Sequence, residues 1–320
     1  MDILVPQYME DETVIRTLLD SIELQQSVDL ENDIGVIIVN DGSDVRLSQE
    51  FLDKYTFPIT YRQHRHRGVS ATRNSCLDYS TAEYVIFCDA DDCLFNALGL
   101  WMLLKEIDKG FDTLVSTFLE ENHRMKNGET VYLSREKDNV FVHGKVHRRQ
   151  YLIDKGIRWN ESLTIHEDSY FNTLCQTLTD KAVYMSTPFY LWRWREASVC
   201  RHDPKYSLKT YNNLLDSNDA LVDEFLRRGM NDKAIAMAVM MIFNSYYTMA
   251  KPDWVNQENK EYRDKVEKRF AEYFRKHKDL WESIDPQKKM VISNNVRTRS
   301  VGEGMQMETM TLEQWLADKG

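Results

Sequence analysis

Two uninterrupted apolar runs, Val36-Ile37-Ile38-Val39 and Tyr84-Val85-Ile86-Phe87-Cys88, constrain this chain more than any other feature. Runs rich in β-branched and aromatic residues, without polar alternation, fit strands covered on both faces. Around them, short apolar runs alternate with amphipathic segments as far as about residue 120. Ile3-Leu4-Val5 is stopped by Pro6, and Val14, Leu18, Leu19 and Ile22 then recur at helical spacing. Helices are expected over 46–55, 68–79 and 98–107, and further strands over 59–61 and 113–116. The β-α-β-α order implies an α/β fold, a Rossmann-like, mostly parallel open sheet with flanking helices.

The next stretch is mixed. Asn127-Gly128 is a hairpin signal. Helices are expected over 147–155 and 168–178, and short strands over 182–185 and 189–193. Beyond about 205 the pattern turns helical, with a strongly apolar segment at 234–249 and a charged one at 258–278. Residues 293–309 carry two glycines and no apolar periodicity, so a mobile loop is expected there before a last short helix. The division is thus an α/β domain over 1–205 and a helical region over 206–320. The stripe Ala234, Ala238 and Met241 reads as core, with a homodimer surface on the C-terminal helices as the alternative.

Composition excludes some classes. The 41 Lys and Arg against 51 Asp and Glu give a net charge of −10, which argues against a general nucleic-acid binder. Cys76, Cys88, Cys93, Cys175 and Cys200 are odd in number and form no CxxC pair, which fits a reducing compartment better than a disulfide framework or zinc site. The start of the sequence lacks a basic segment followed by an apolar one, and no run of 18 apolar residues occurs. The expectation is a cytoplasmic protein, at most peripheral at the inner face of a membrane.

In an open parallel sheet, ligands sit at the carboxyl ends of the strands. Pro6-Gln7-Tyr8, Asn40-Asp41-Gly42-Ser43 and Asp89-Ala90-Asp91-Asp92 follow the first, second and fourth strands, so all three fall on one rim. Three carboxylates within residues 89–92 repel one another unless a cation is present, and oxygen ligands of this kind suit Mg²⁺ or Mn²⁺. A helix N-terminus decorated with acids is the competing account. Asp41 is placed to accept hydrogen bonds from a base or ribose, although an ordinary strand-to-helix turn explains it as well. Gly68-Val69-Ser70-Ala71-Thr72-Arg73-Asn74 opens a helix whose free N–H groups and Arg73 suit phosphate. Glu167 and Asp168 start another helix and offer a general base. Tyr190, Trp192 and Trp194 alternate with Arg193 and Arg195, giving aromatic faces for a sugar and cations for a diphosphate. His202 is a further candidate ligand for metal or diphosphate.

Taken in order, these elements resemble the family 2 glycosyltransferases of GT-A fold. The opening VPxYN pattern appears as Val5-Pro6-Gln7-Tyr8-Met9, with Met9 in place of Asn. VNDGS stands at Val39-Asn40-Asp41-Gly42-Ser43, DADD at 89–92, and the ED-x-x-F element as Glu167-Asp168-Ser169-Tyr170-Phe171. The GxxxARN-type helix start matches residues 68–74 with Thr72 interrupting it, and a GK-x-x-R-R-x-x-L stretch is visible at 144–152. The resemblance covers about the first 200 residues. It implies that Pro6, Tyr8, Asp41, Arg73 and Asp89 contact a nucleotide, that Asp91 with Asp89 holds Mn²⁺ or Mg²⁺, and that Asp168 beside Glu167 is the catalytic base. The implied reaction is an inverting transfer of a sugar from a nucleotide-diphosphate donor, UDP by default, to an acceptor hydroxyl on a glycan, a lipid-linked glycan or a protein. That places the chain in polysaccharide or glycoconjugate biosynthesis. A nucleotidyltransferase, or an inactive nucleotide-sugar-binding module, shares the same rim and stays open at this point.

Overall fold

The computed structural model describes residues 1–123, 129–195, 205–249, 254, 259–302 and 312–319. The chain divides into two units, Met1–Ser198 and Val199–Gly320. In the first, the elements run β1 (Asp2–Gln7), α1 (Glu12–Glu23), α2 (Leu30–Asp33), β2 (Gly35–Asn40), α3 (Gln49–Leu52), β3 (Ile59–Gln63), α4 (Val69–Tyr79) and β4 (Tyr84–Phe87). They continue as β5 (Cys93–Leu94), α5 (Gly99–Ile107), β6 (Thr113–Asn122), β7 (Val131–Arg135), β8 (Lys145–Arg148), α6 (Arg149–Asp154), α7 (Glu167–Thr177) and β9 (Ala182–Trp192).

Among the described residues one sheet holds nine strands, in the order β3-β2-β1-β4-β8-β6-β9-β5 with β7 added to β6. β1, β2, β3 and β4 run parallel, so their carboxyl ends share a rim. β8 is antiparallel to both β4 and β6, and β9 is parallel to β6. The sheet is therefore parallel on one side and mixed on the other.

Strand periodicity sends alternate side chains to opposite faces. Ile3, Val5, Val36, Ile38 and Ile86 join one core with Ile15, Leu18, Leu19 and Ile22 of α1. α1 starts where the Asp11 side chain accepts from Thr13 N and Val14 N, a conventional N-cap. Leu4, Ile37, Val39 and Phe87, on the alternate positions, are buried as well. There Phe87 meets the rings of Trp159 and Phe171 edge-on at 5.1 and 5.6 Å, and those two rings stack at 4.1 Å, 4° from parallel.

Several local expectations are corrected. The helix expected over 46–55 is only the single turn of α3, capped by the Ser48 hydroxyl. The one expected over 147–155 begins later, because His147 and Arg148 are still in β8. The two strands expected over 182–185 and 189–193 are one, β9, which runs through Pro188 with a register irregularity against β6 between Ser116 and Phe118. The expected mobile loop over 293–309 is helical through its first part, in Pro286–Gly302. Asp285 accepts there from Gln287 N and Lys288 N. An Asp followed by Pro is a helix-start signal that needs no apolar stripe. The Asn127-Gly128 hairpin signal lies outside the described residues, although β6 and β7, which flank it, do pair antiparallel.

In the second unit, Tyr211–Arg227, Asn231–Met249 and Lys260–Lys276 pack around Leu215, Ile242, Trp254, Phe270 and Tyr273. Ala234, Ala238 and Met241 are buried within the chain, as core. Among the described residues, no helix is long and apolar enough to cross a membrane.

Phe171 is the test of this packing, since it is fully buried between Trp159 and Phe87. Phe171→Ala is expected to destabilise the first unit by about 3–5 kcal/mol, read as a lower denaturant midpoint. A midpoint unchanged from wild type would contradict the packing described.

Candidate active site

The rim is built first from backbone. Gln7 ends β1, and its side chain donates to Glu10 O (2.6 Å) and accepts from the Tyr61 hydroxyl (3.1 Å). Asn40 ends β2, donating to Val45 O and accepting from Ser43 N. Gly42 follows at φ 77°, and a Cβ there would lie 2.3 Å from His66 N, so only glycine fits between these loops.

Asp41, expected to meet a base, is buried and already engaged. Its Oδ1 accepts from Arg67 N (2.8 Å) and its Oδ2 from Gly68 N (2.9 Å). His66 Nδ1 is 2.9 Å from Oδ2 and His64 Nδ1 3.5 Å from Oδ1. α4 begins at Val69 with no side-chain cap, and Asp41 instead holds the two backbone N–H groups that lead into it. Tyr8 leans on His66 with ring centroids 4.7 Å apart and remains 48% exposed. Pro6 pairs with Val39 inside the β1–β2 ladder. Pro6, Tyr8 and Asp41 are thus neighbours at one end of the rim.

Arg73, on the second turn of α4, is the hub of the other end. Only 3% exposed, it donates from Nη1 to Glu167 Oε1 (3.1 Å) and Asp168 Oδ1 (2.8 Å), and from Nη2 to Asp89 Oδ1 (3.0 Å). Its guanidinium lies over the Trp159 ring, 4.4 Å from the centroid. Burial works against the charged form, but the three carboxylates outweigh it and hold the guanidinium charged. Three carboxylates thus crowd one guanidinium.

Asp168 carries the consequence. Its carboxyl is raised to about 7: burial, Glu167 and Asp89 push it up, while Arg73 and the Val142 N–H pull it down. Its second oxygen, Oδ2, accepts from Val142 N at 3.0 Å. Asp168 and Glu167 reach this position because α7 begins at His166, held at φ 64°.

The acidic loop divides its carboxylates. Asp92 is buried, with Oδ2 accepting from the Tyr190 hydroxyl (2.6 Å) and Oδ1 from Arg193 N (2.9 Å). Burial, then Asp91 and Asp89, raise its carboxyl well above the ordinary range. Asp91 is paired with Arg195 Nη1 (2.9 Å), which also lies 3.6 Å from Glu10 Oε1. Arg193 Nη1 donates to the Asp91 carbonyl (3.3 Å). Arg193 and Arg195, expected on a diphosphate, are held here by the acidic loop. Tyr190 is fully buried against His143 and offers no face to a sugar, whereas Trp192 and Trp194 stay half-buried.

The donor set fits a divalent cation. Asp89 and Asp91 are partly exposed at the rim, and Asp89, Asp92 and His143 place ligand atoms within 4.8 Å of one another. Carboxylate oxygens with one imidazole suit Mn²⁺ or Mg²⁺. His143, 3.6 Å from Asp92 Oδ2, was missed in the sequence, as were Glu10 and Lys145. The one signal near His143 and Lys145 was the GK stretch that contains Lys145. His202 lies outside the described residues.

The acidic loop, the ED pair and the α4 arginine thus form one charged centre. The family model described as Glycosyl transferase family 2 matches residues 2–176. Glycosyltransferase GlyA of Streptococcus pneumoniae is 26% identical over 62% of this chain, which spans only 31% of that protein. The putative glycosyltransferase EpsH of Bacillus subtilis is 24% identical over 67% of this chain and 66% of its own length. The GalNAc(5)-diNAcBac-PP-undecaprenol beta-1,3-glucosyltransferase of Campylobacter jejuni is 25% identical over 78% of this chain and 81% of its own. Among solved structures, S. aureus TarS 1-349 in complex with UDP-GlcNAc aligns over 85% of this chain and 80% of its own, with TM-score 0.65 at 19% identity. That likeness speaks for the GT-A fold. With the family matched over more than half of its length, the chain belongs to glycosyl transferase family 2.

Proposed function

We propose that this chain is an inverting glycosyltransferase that moves a sugar from a UDP-sugar to an acceptor hydroxyl, with Asp168 as general base. The observation that carries the reading is the Arg73 hub, which gathers Asp89 of the acidic loop and the Glu167–Asp168 pair around one guanidinium. Asp168 takes the acceptor's hydroxyl proton. The freed oxygen forms its bond to the anomeric carbon, and the bond from that carbon to the diphosphate oxygen breaks on the opposite face. A carboxyl held near 7 is matched to this task at neutral pH. Arg73 keeps Asp168 oriented, and the Val142 N–H fixes its second oxygen. Pro6, Tyr8 and Asp41 border the base and ribose, and Arg193 and Arg195 exchange the acidic loop for the diphosphate. Asp89 and Asp91 would hold the cation, with Mn²⁺ or Mg²⁺ supplying charge neutralisation to the leaving diphosphate.

UDP and GlcNAc are the first donor chemistry to try, because the aligned TarS binds UDP-GlcNAc. The acceptor class follows the relatives' names. One acts on an undecaprenol-linked glycan, and another, 27% identical over 56% of this chain, is a minor teichoic acid biosynthesis protein of B. subtilis. A polymer or lipid-linked glycan, met at a membrane surface, suits this reading.

The discriminating experiment is product analysis: a nucleotide-sugar donor should yield a nucleoside diphosphate, whereas pyrophosphate from a nucleoside triphosphate would move the chain to nucleotidyl transfer. Asp168→Asn is expected to keep nucleotide binding and lose about 10²–10⁴-fold in kcat. Full turnover in that variant would remove Asp168 from the mechanism. Because the base must be ionised, kcat/KM should fall about tenfold per pH unit below about 7 and level off above it. A flat profile between pH 5.5 and 8 contradicts the assignment. Excess EDTA should abolish turnover and added Mn²⁺ or Mg²⁺ restore it; activity undiminished by EDTA rules out the metal role of Asp89 and Asp91.

A further inference from the structure

The connection between β7 and β8 is wound around a buried lysine. Asp138 opens it, its Oδ1 accepting from Val140 N (2.9 Å) and Phe141 N (2.8 Å). Lys145, at the start of β8, turns its buried side chain back beneath this turn. Its Nζ donates to the Phe141 carbonyl and to the His143 carbonyl (3.5 Å), and lies 3.8 Å from Asp138 Oδ1. From α7, Asn172 donates Nδ2 to the carbonyls of Val140 (3.1 Å) and Phe141 (2.9 Å). Asn172 stands one turn beyond Asp168, so a single helix grips the loop at two points.

The held loop touches both halves of the charged centre. Val142 N donates to Asp168 Oδ2 at 3.0 Å, and His143 Nδ1 lies 3.6 Å from Asp92 Oδ2 with its ring stacked on Tyr190. Between them, Phe141 and His143 pack on Trp192, at 4.7 and 4.9 Å between centroids.

A buried ammonium is a poor choice for filling space. Desolvation lowers the Lys145 pKa to about 8, with Asp138 and Asp168 pulling it back up. An apolar chain of the same length would avoid that cost. What a donor at this point does, together with Asn172 on the Phe141 carbonyl, is fix the direction of the peptide groups after Phe141 and His143, so that the Val142 N–H faces Asp168.

We propose that Lys145 is a positioning residue of the reaction: through the Phe141 and His143 carbonyls it sets the loop 138–143 against both Asp168 and Asp92, and so fixes the spacing between the proton-accepting carboxylate and the acidic loop. The inference rests on the reading of Asp168 as base. It differs from a simple packing role because it concerns turnover, not donor affinity.

The test uses the full chain with Mn²⁺ and one nucleotide sugar, chosen from UDP-GlcNAc, UDP-glucose, UDP-galactose and UDP-GalNAc by the largest thermal shift. Release of UDP with water as acceptor gives kcat and donor KM, and calorimetry gives UDP affinity. Lys145→Met is expected to lower kcat about 30-fold or more while donor KM and UDP affinity stay within threefold. Asp138→Ala, a partly exposed site that releases the same turn from its other end, should show the same split to a smaller degree. The double variant should turn over no more slowly than Lys145→Met alone, as expected for two groups acting through one loop. The inference is overturned if kcat stays within threefold of wild type in Lys145→Met, or if kcat and UDP affinity fall together. Should Lys145→Met not fold, Asp138→Ala decides on the same criteria. Asp168→Asn, run alongside, separates the two ideas: wild-type turnover there removes the base itself, whereas an inactive Asp168→Asn beside a fully active Lys145→Met removes only the lysine.

Discussion

The charged centre depends on one guanidinium. Asp89 arrives at the end of β4, and Glu167 and Asp168 at the start of α7, so three carboxylates would meet in a half-buried space with no cation of their own. Arg73 serves all three because its donors are spread in a rigid planar fork, which a lysine could not reproduce. Behind the fork, Trp159 presents its ring face, and Trp159 is itself stacked on Phe171 of α7. The charged centre and the ring cluster of Phe87, Trp159 and Phe171 thereby meet at α7 and the end of β4, and the position of α7 is set from both sides.

The mixed part of the sheet matters as much as the parallel part. β8 runs against β4, so it is the beginning of β8, not its end, that lies at the carboxyl-end rim. The segment before β8 therefore reaches the place where the loops after β1, β2 and β4 converge. That segment brings His143 and a glycine at φ 67° to the rim, and the buried Lys145 follows as the first residue of β8.

That topology also explains how much was legible in advance. The strands of the parallel half and the acidic loop stand out because each follows a simple local rule: unbroken apolar runs, or carboxylates straight after them. The ED pair, acids at a helix start, is marked out by the family resemblance rather than by such a rule. Arg73 was noticed for a phosphate, but its burial among three acids is a tertiary fact that no local pattern carries. His143 and Lys145 escaped because the rule of looking after each strand holds only for parallel ones. That Asp41 also holds the backbone leading into α4, through Arg67 N and Gly68 N, is a long-range contact 27 residues on that no local pattern carries. The helix Pro286–Gly302 carries no apolar stripe to read, and only the Asp285-Pro286 start announces it.

Two glycines mark where the rim tolerates no variation. At Gly42 an added methyl group would overlap the backbone of His66, and at Gly144 it would come within 2.6 Å of the Ser116 hydroxyl, with φ positive at both. Anyone redesigning the donor preference of this protein can vary side chains around the rim without bending its backbone. These two joints, by contrast, are fixed points, and libraries that randomise whole loops would lose most of their members there.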